Sequence, residues 1–403
     1  VRAALARRGP DAAAAVEAVS VLDARRRELL PELETLRAER NRVSEEIAQA
    51  KRSGADAGEA IAAMKAAGER EKELGAALAA VDAQLHDALV ALPNLPSADA
   101  ADEDTVIRTV GEPRSGPAAD HLELAGAMID MEAGARLSGS RFAYLKGDLV
   151  FLELALVRWA LERLRAEGFE PVIPPVLVRE HALYGTGMFP DTEQQIYTVA
   201  ADELYLVGTS EVALASLHAG EILDADALPL RYAGFSSCFR REAGAAGRDT
   251  RGIFRVHQFD KVEMFVFTTA EQAQEEHERI LAIEESLLAE LAIPYRVVNI
   301  AVGDLGASAA KKYDCEAWLP GQGRYRELTS CSNTTDFQAR RLEIRVRGGG
   351  GRPVTAATLN GTAVAVGRTI IALLENHQQG DGSVVVPECL LPFGAPAVIG
   401  SPA

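Results

Sequence analysis

The chain has 403 residues, 48% of them hydrophobic, and a formal net charge of −17. That length supports two or three domains with a core large enough for an enzyme, whereas the acidic balance excludes general nucleic-acid binding, so any such site must be a local basic patch. Four cysteines, Cys238, Cys315, Cys331 and Cys389, show no C-x-x-C spacing, which excludes a zinc ribbon or disulfide framework and fits the reducing cytoplasm.

No run reaches about 18 uninterrupted apolar residues, so no membrane-spanning helix is expected, and no secretory signal is visible. The first hundred residues are rich in Ala, Arg, Glu and Leu. From Val19 a seam runs through Leu22, Arg26, Leu29, Leu33, Leu36, Arg40, Val43, Ile47 and Ala50 in alternating steps of three and four, the spacing of a coiled coil. "KRSGADAG" (51–58) breaks it with two glycines. A second seam follows through Met64, Ala67, Glu71, Leu74, Leu78, Val81, Leu85, Ala88 and Leu92, and "LPNLPS" (92–97) stops it. The pattern predicts a long antiparallel helical hairpin, with roughly 40 residues per helix giving an arm about 60 Å long. Its boundary is placed at 98, with a second domain over 99–403.

Beyond residue 105 short β-rich runs appear: "EPVIPPVLV", "ELYLVG", "KVEMFVF", "YRVVNIA" and "YRELTSCSN". Helical segments such as "DLVFLELALVRWALERLRAEG" and "TAEQAQEEHERILAIEESLLAEL" separate them. There is no βαβ rhythm and no glycine-rich nucleotide fingerprint. The expectation is an α+β chain: a helical hairpin, then a mainly antiparallel sheet flanked by helices. "KVEMFVF" reads as a strand with one polar face.

Residues 239–263, "FRREAGAAGRDTRGIFRVHQFDKVE", carry the densest charge. Read as a strand, Phe239–Glu242 puts Arg240 and Glu242 on one face, and Arg255, Phe259 and Glu263 form a second row. Together they offer guanidinium forks for phosphate, a ring for stacking and carboxylates for an amine. Cross-strand ion pairs on a wet sheet face account equally well for the pattern. In "LNGTAVAVGRTIIALLENHQ" (359–378), Arg368 sits in an almost wholly apolar helix. It needs a partner, either an internal carboxylate or a ligand phosphate, and Gly367 leaves room for close approach. "GTSEVALASL" (208–217) is an ordinary helix start as much as a ligand set. "YRELTSCSN" offers Glu327, Thr329 and Ser330, hard oxygens of the kind Mg²⁺ takes beside substrate phosphates.

In order along the chain, these pieces resemble the class II aminoacyl-tRNA synthetases, and more narrowly the bacterial seryl-tRNA synthetase family. "GFEPVIPPVLV" is similar to class motif 1 with Pro175, the 239–259 stretch to motif 2 and "AVGRTIIALLENHQ" to motif 3 with Arg368. "GTSE", "HQFDKVE", "RELTSCSN" and "NGTAVAVGR", with "LYGTGMFP" and "KKYDCEAW", are closer to the seryl family. The resemblance spans essentially the whole chain and departs from the pattern only at the start, where a short segment is expected before Val1.

The resemblance implies activation of serine by ATP to seryl-adenylate, then transfer of the seryl group to the end of serine tRNA, and of selenocysteine tRNA where present, by a cytoplasmic homodimer. It implies that Arg240 and Arg368 are catalytic. Serine would meet Thr209, Ser210, Glu211, Arg240, Glu263, Asn360 and Thr362. ATP would meet Arg240, Arg241, Glu242, Arg255, Val256, Phe259, Glu327, Leu328, Thr329, Ser330 and Arg368. In this carry-over Glu242 accepts from the adenine amine, Phe259 and Arg368 cover the two faces of the base, and Glu327 with Ser330 holds Mg²⁺. Transfer RNA would meet Arg26, Arg37 and Arg40 on the arm and Arg248 and Arg251 in the motif 2 loop. Activation of threonine or proline is the nearest rival, disfavoured by "GTSE" and "HQFDKVE". A ligase that loads carrier proteins has no need of the arm. A non-catalytic paralogue would lose one of Arg240, Arg255, Arg368 or Glu327, all of which are present.

Overall fold

The structure is a computed structural model that describes residues 1–54, 56–191, 194–244, 249, 251–348 and 351–400. It divides into two compact units, Val1–Pro93 and Asn94–Ala403. The division falls before the expected 98 because Asn94 is already tied into the second unit: its Nδ2 donates to the carbonyls of Ser308 and Thr334, each at 2.8 Å.

In the first unit, helices Pro10–Ser53 and Gly58–Ala91 pack against each other. Gly54 ends the first in the left-handed conformation, φ 73°, which glycine adopts without penalty. Leu29, Leu33 and Leu74 are buried between the two, with Leu36, Leu78 and Val81 beside them. The charged interruptions of the seams find each other: Arg40 Nη1 donates to Glu71 Oε2 at 2.6 Å, and Arg37 Nε to Glu71 Oε1 at 3.1 Å. Gly58–Ala91 is, by length and composition alone, apolar enough to cross a membrane. Scattered alanines raise its average hydropathy without forming an unbroken run. Leu74 meets leucines of the neighbouring helix, and Asp82 pairs with Arg26 at 2.8 Å.

The second unit is built on an eight-stranded sheet. Its order is Thr105–Val110, Tyr295–Asn299, Lys311–Leu319, Arg324–Thr335, Ala357–Ala365, Gln258–Thr268, Leu230–Phe239 and Glu170–Val172. Neighbours are antiparallel except the last pair, which is parallel. Helices Asp148–Ala166, Ala273–Glu290 and Val366–His377 supply Leu156, Trp159, Ile280, Leu287, Ile370 and Leu374 to the main core. The strand containing "KVEMFVF" does not present a wet face. Val262, Met264 and Val266 enter the main core, Phe265 and Phe267 a second cluster, and Lys261 and Glu263 are buried too, because strands lie on both sides and helices cover it.

Gly361 shows how tightly the helix behind the sheet is fitted. A Cβ there would lie 2.3 Å from Ile280 Cγ2, 2.9 Å from Glu284 Oε1 and 3.1 Å from Cys331 Cβ. Overpacking of this kind costs about 1–3 kcal/mol. Gly361→Ala is therefore expected to lower the urea midpoint at unchanged slope; an unmoved midpoint would mean that the Ala273–Glu290 helix yields freely.

Candidate active site

A cavity of about 390 Å³ opens on the sheet face opposite the Ala273–Glu290 helix: Asn360 and Thr362 line it while Gly361 between them faces the helix. Three guanidinium groups, Arg240, Arg255 and Arg368, share this cavity with the rings of Phe254 and Phe259 and with Glu242, Val256, Glu327, Leu328 and Ser330. Thr209, Glu211, Lys261 and Glu263 join Asn360 and Thr362.

The motif 2 residues reach the cavity by a route that strand parity does not describe. The strand ends at Phe239, so Arg240–Glu242 is not extended sheet, and Glu242 has a φ of 52°, a left-handed conformation unusual for a residue with a side chain. What holds the neck is backbone pairing: Arg240 N donates to His257 O at 3.0 Å, and His257 Nδ1 lies 2.9 Å from Arg240 O. Arg240 Nε donates to Gly208 O at 3.2 Å, with its guanidinium carbon 5.3 Å from the centre of the Phe259 ring. Glu242 pairs with Arg255, so here the two charges satisfy each other. Arg368 Nη1 donates to Glu327 O at 3.0 Å and lies 3.7 Å from the Glu327 carboxylate, and its guanidinium sits over Phe254 at 4.5 Å. Its partner is thus an internal carboxylate, but a quarter of the side chain stays exposed.

Glu327 and Ser330 are three apart, a spacing that in a regular strand would send them to opposite faces. The pairing register shifts between Cys315 and Glu316: Glu316 faces Glu327 and Cys315 faces Thr329, leaving Leu328 as the extra residue of a bulge. The bulge turns Ser330 to the cavity and Thr329 away from it. Burial alone would raise the Glu327 pKa, but Arg368, Lys312, Arg240 and Lys261 outweigh it and hold the carboxyl below its ordinary range, so it is ionised.

At the other end the polar groups are deeply buried. Glu263 is 2% exposed; it pairs with Lys261 and accepts from Thr362 Oγ1 at 3.4 Å. Lys261 Nζ donates to Thr209 Oγ1 at 2.8 Å. Glu211 accepts from Gln338 Nε2 at 2.7 Å and from Asn360 Nδ2 at 2.9 Å. Burial first, and then the charge of Glu263, push the Glu211 carboxyl up to about 7.

Three expected site residues do not reach the cavity. Ser210 is fully buried and its Oγ donates to Gly234 O at 3.4 Å, because it begins a short helix whose next residue, Glu211, takes the inward position. Arg241 is exposed, its backbone N–H held by Gln195 O at 2.8 Å. Thr329 Oγ1 donates to Glu284 Oε2 at 2.9 Å behind the sheet. Arg251 is two-thirds exposed and pairs with Asp120 at 2.7 Å, and Arg248 lies outside the described residues. On the hairpin, Arg26, Arg37 and Arg40 are about half exposed and paired with Asp82 and Glu71; exposed pairs are weak enough to exchange for phosphate.

Sequence reading missed Lys261, Lys312 and Arg326. Lys261 could have been found, since it shares the 259–261–263 row. Arg326 gives no such signal: it grips Asp249 through both Nη atoms, at 2.9 and 2.7 Å, and stacks 3.8 Å from the Phe254 ring on a loop distant in sequence.

Residues 1–96 match the family model described as seryl-tRNA synthetase N-terminal domain, and residues 197–377 match the class II tRNA synthetase core domain (G, H, P, S and T). The chain is 52% identical to a serine–tRNA ligase of Thermobifida fusca over 98% of its own length and 94% of the relative's. The chain belongs to the seryl-tRNA synthetase family. A second relative, from Nocardia farcinica, is 51% identical over 100% of this chain and 97% of its own. Among solved structures, the seryl-tRNA synthetase of Pyrococcus horikoshii, complexed with ATP, superimposes with a TM-score of 0.92 at 42% identity, covering 100% of this chain and 97% of that one. The cytoplasmic serine–tRNA ligase of Naegleria fowleri, in complex with AMP, gives 0.86 at 31% identity over 99% and 95%.

Proposed function

We propose that this chain is a serine–tRNA ligase, cytoplasmic and homodimeric, that uses ATP to make seryl-adenylate and then esterifies serine tRNA. The observation that carries this reading is the division of one cavity into two ends. One end has three guanidinium groups beside two rings; the other has a buried set of hydroxyl, amide and carboxylate groups of the kind a small polar amino acid would pair with.

In the first step a serine carboxylate oxygen attacks the α-phosphorus of ATP, the bond to pyrophosphate breaks, and the anhydride forms. In the second a ribose hydroxyl of the terminal adenosine attacks the seryl carbonyl and AMP leaves. No side-chain nucleophile is required, so catalysis rests on holding the reactants and neutralising the charge that builds on phosphate. Arg240, whose charge reaches both Glu211 and Glu327, would bind both carboxylate and α-phosphate. Arg255 would leave Glu242 for the outer phosphates, freeing Glu242 to accept from the adenine amine. Phe259 and Arg368 would cover the base. The ionised Glu327 and the Ser330 hydroxyl are a donor pair that suits Mg²⁺. Among the described residues no cluster of three or more His, Cys, Asp or Glu gathers for a metal, which fits an ion that completes its shell on substrate phosphates. When bound, it would neutralise phosphate charge. Glu211 and Thr209 would take the serine ammonium, and Glu263 with Thr362 the hydroxyl. Val150, Phe151 and Leu154, an exposed apolar stripe at helical spacing, and the 81%-exposed Ile173 beside the sheet edge support a dimer through that edge; sedimentation of the purified chain tests it. Serine-dependent exchange of pyrophosphate into ATP, followed by charging of total tRNA, tests the whole reading: exchange that responds to another amino acid but not to serine would overturn it.

Glu263→Gln keeps the shape of the side chain but removes a charge-assisted hydrogen bond to the serine hydroxyl, worth roughly 1.5–3 kcal/mol. Serine activation should fall by about one to two powers of ten, with the ATP Michaelis constant little moved. Discrimination against alanine should shrink as well, since the lost bond is one that only the serine hydroxyl makes. An unchanged serine-to-alanine ratio would reduce Glu263 to the structural partner of Lys261.

A further inference from the structure

Next to "YRELTSCSN" the chain continues "TTDFQARR" (334–341), a stretch that lines no part of the cavity. We infer that Gln338, which does not line the cavity, is a positioning residue for amino-acid recognition, holding the Glu211 carboxylate ionised and aimed at the substrate ammonium. The inference rests on the reading of Glu211 as the ammonium acceptor.

Gln338 lies in the short helix Phe337–Arg341 and is fully buried. Its amide has only one sensible orientation. Thr358 Oγ1 donates to Gln338 Oε1 at 2.8 Å, and Thr334 Oγ1 lies 3.4 Å from the same oxygen while donating to Thr358 O at 2.7 Å. Thr334 and Thr358 are themselves fully buried. With the carbonyl end engaged by threonine, the NH₂ end faces Glu211 Oε1 at 2.7 Å. A flipped amide would set its oxygen against a carboxylate in a dry site. Asn360 Nδ2 donates to that same Oε1 at 2.9 Å. Both amides therefore bind one oxygen, and among the described residues no hydrogen bond is made to Oε2, which is left for a ligand. A buried chain from Thr334 through Thr358 and Gln338 to Glu211 thus sets the carboxylate from behind.

The charges facing Glu211 come from two neighbouring elements. Glu263 on the Gln258–Thr268 strand opposes its ionisation, Lys261 on that strand and Arg240 beyond the adjacent strand favour it, and Gln338 adds the hydrogen bond that favours the charged form. The sign of the pH effect follows. An ammonium needs the ionised carboxylate, and the protonated fraction grows as pH falls through about 7. Serine affinity should therefore weaken below that pH. Without Gln338 the neutral form gains, so the inflection moves to higher pH. A residue that merely braced the fold would lower the active fraction and leave the inflection where it was.

The test is serine-dependent pyrophosphate exchange by the full chain across neutral pH, with Gln338→Met, Thr358→Val and Glu211→Gln. Gln338→Met should raise the Michaelis constant for serine about tenfold, the loss of one hydrogen bond to a charge. The Michaelis constant for ATP and kcat should stay near their original values, and the inflection should move up. Thr358→Val, which frees the amide without deleting it, should shift both in the same direction by less. It also decides the matter if Gln338→Met does not fold. An unmoved serine Michaelis constant and inflection, or a fall in kcat alone, overturns the inference. Glu211→Gln separates the two levels: if it too leaves serine binding intact, the ammonium assignment is what failed. If it loses serine binding while Gln338→Met and Thr358→Val do not, only the role of Gln338 has failed.

Discussion

Arg368→Ala should abolish adenylate formation, by about three powers of ten, in a chain that still folds. The side chain enters the cavity from the first turn of an apolar helix, where its guanidinium lies over Phe254 and beside Glu327. A cation held there meets no cost of reorganisation when charge builds on the transferring phosphate, which is why a single placed donor is worth so much. Folding should suffer less. The alanine lies at the cavity wall and not in the core, and the Glu327 carboxylate left behind keeps Lys312, Arg240 and Lys261 as charged neighbours. Arg368→Lys should recover only part of the rate, since an ammonium keeps the charge but not the planar fork or the stacking face. The measurements are exchange kinetics and a thermal melt on the same preparation. If the variant unfolds while its residual folded fraction binds ATP normally, Arg368 is a structural ion-pair partner and the catalytic assignment falls.

Deleting residues 20–90 and closing the gap with a short glycine linker should leave serine-dependent exchange unchanged and cut tRNA charging by about two powers of ten. Among the described residues the cavity is lined only by those from Thr186 onward, and the hairpin buries its own leucines, Leu29, Leu33 and Leu74, within itself. A chain with a net charge of −17 needs a local basic surface to meet phosphate. On the hairpin Arg26, Arg37 and Arg40 supply it as exposed ion pairs that can exchange partners. Added salt should then weaken charging by the intact chain more than it weakens exchange. Equal loss of both activities in the deleted chain would show that the hairpin supports the catalytic unit and not the tRNA.

The sequence by itself determined the helical hairpin, because a heptad seam is a local pattern and Leu29, Leu33 and Leu74 fall where it puts them. It also carried the main strands and helices of the second unit and the residue types of the site, since Arg368 in an apolar helix and the row Phe259, Glu263 are visible as anomalies of composition. Which side chains meet was decided by pairing between strands remote in sequence. The bulge at Leu328 exists only because Glu316 pairs with Glu327 while Cys315 pairs with Thr329; it joins Ser330 to Glu327 and sends Thr329 behind the sheet to Glu284. A period-of-two reading groups Glu327 with Thr329 and has no means of seeing the extra residue. The positive φ of Glu242, two residues past the neck between Arg240 and His257, likewise has no turn signature in the sequence. Gln338 lies furthest from local legibility: its role depends on Thr334 four residues before it and on Thr358 and Glu211 from two remote segments, and a buried amide acquires a direction only when its partners are in place.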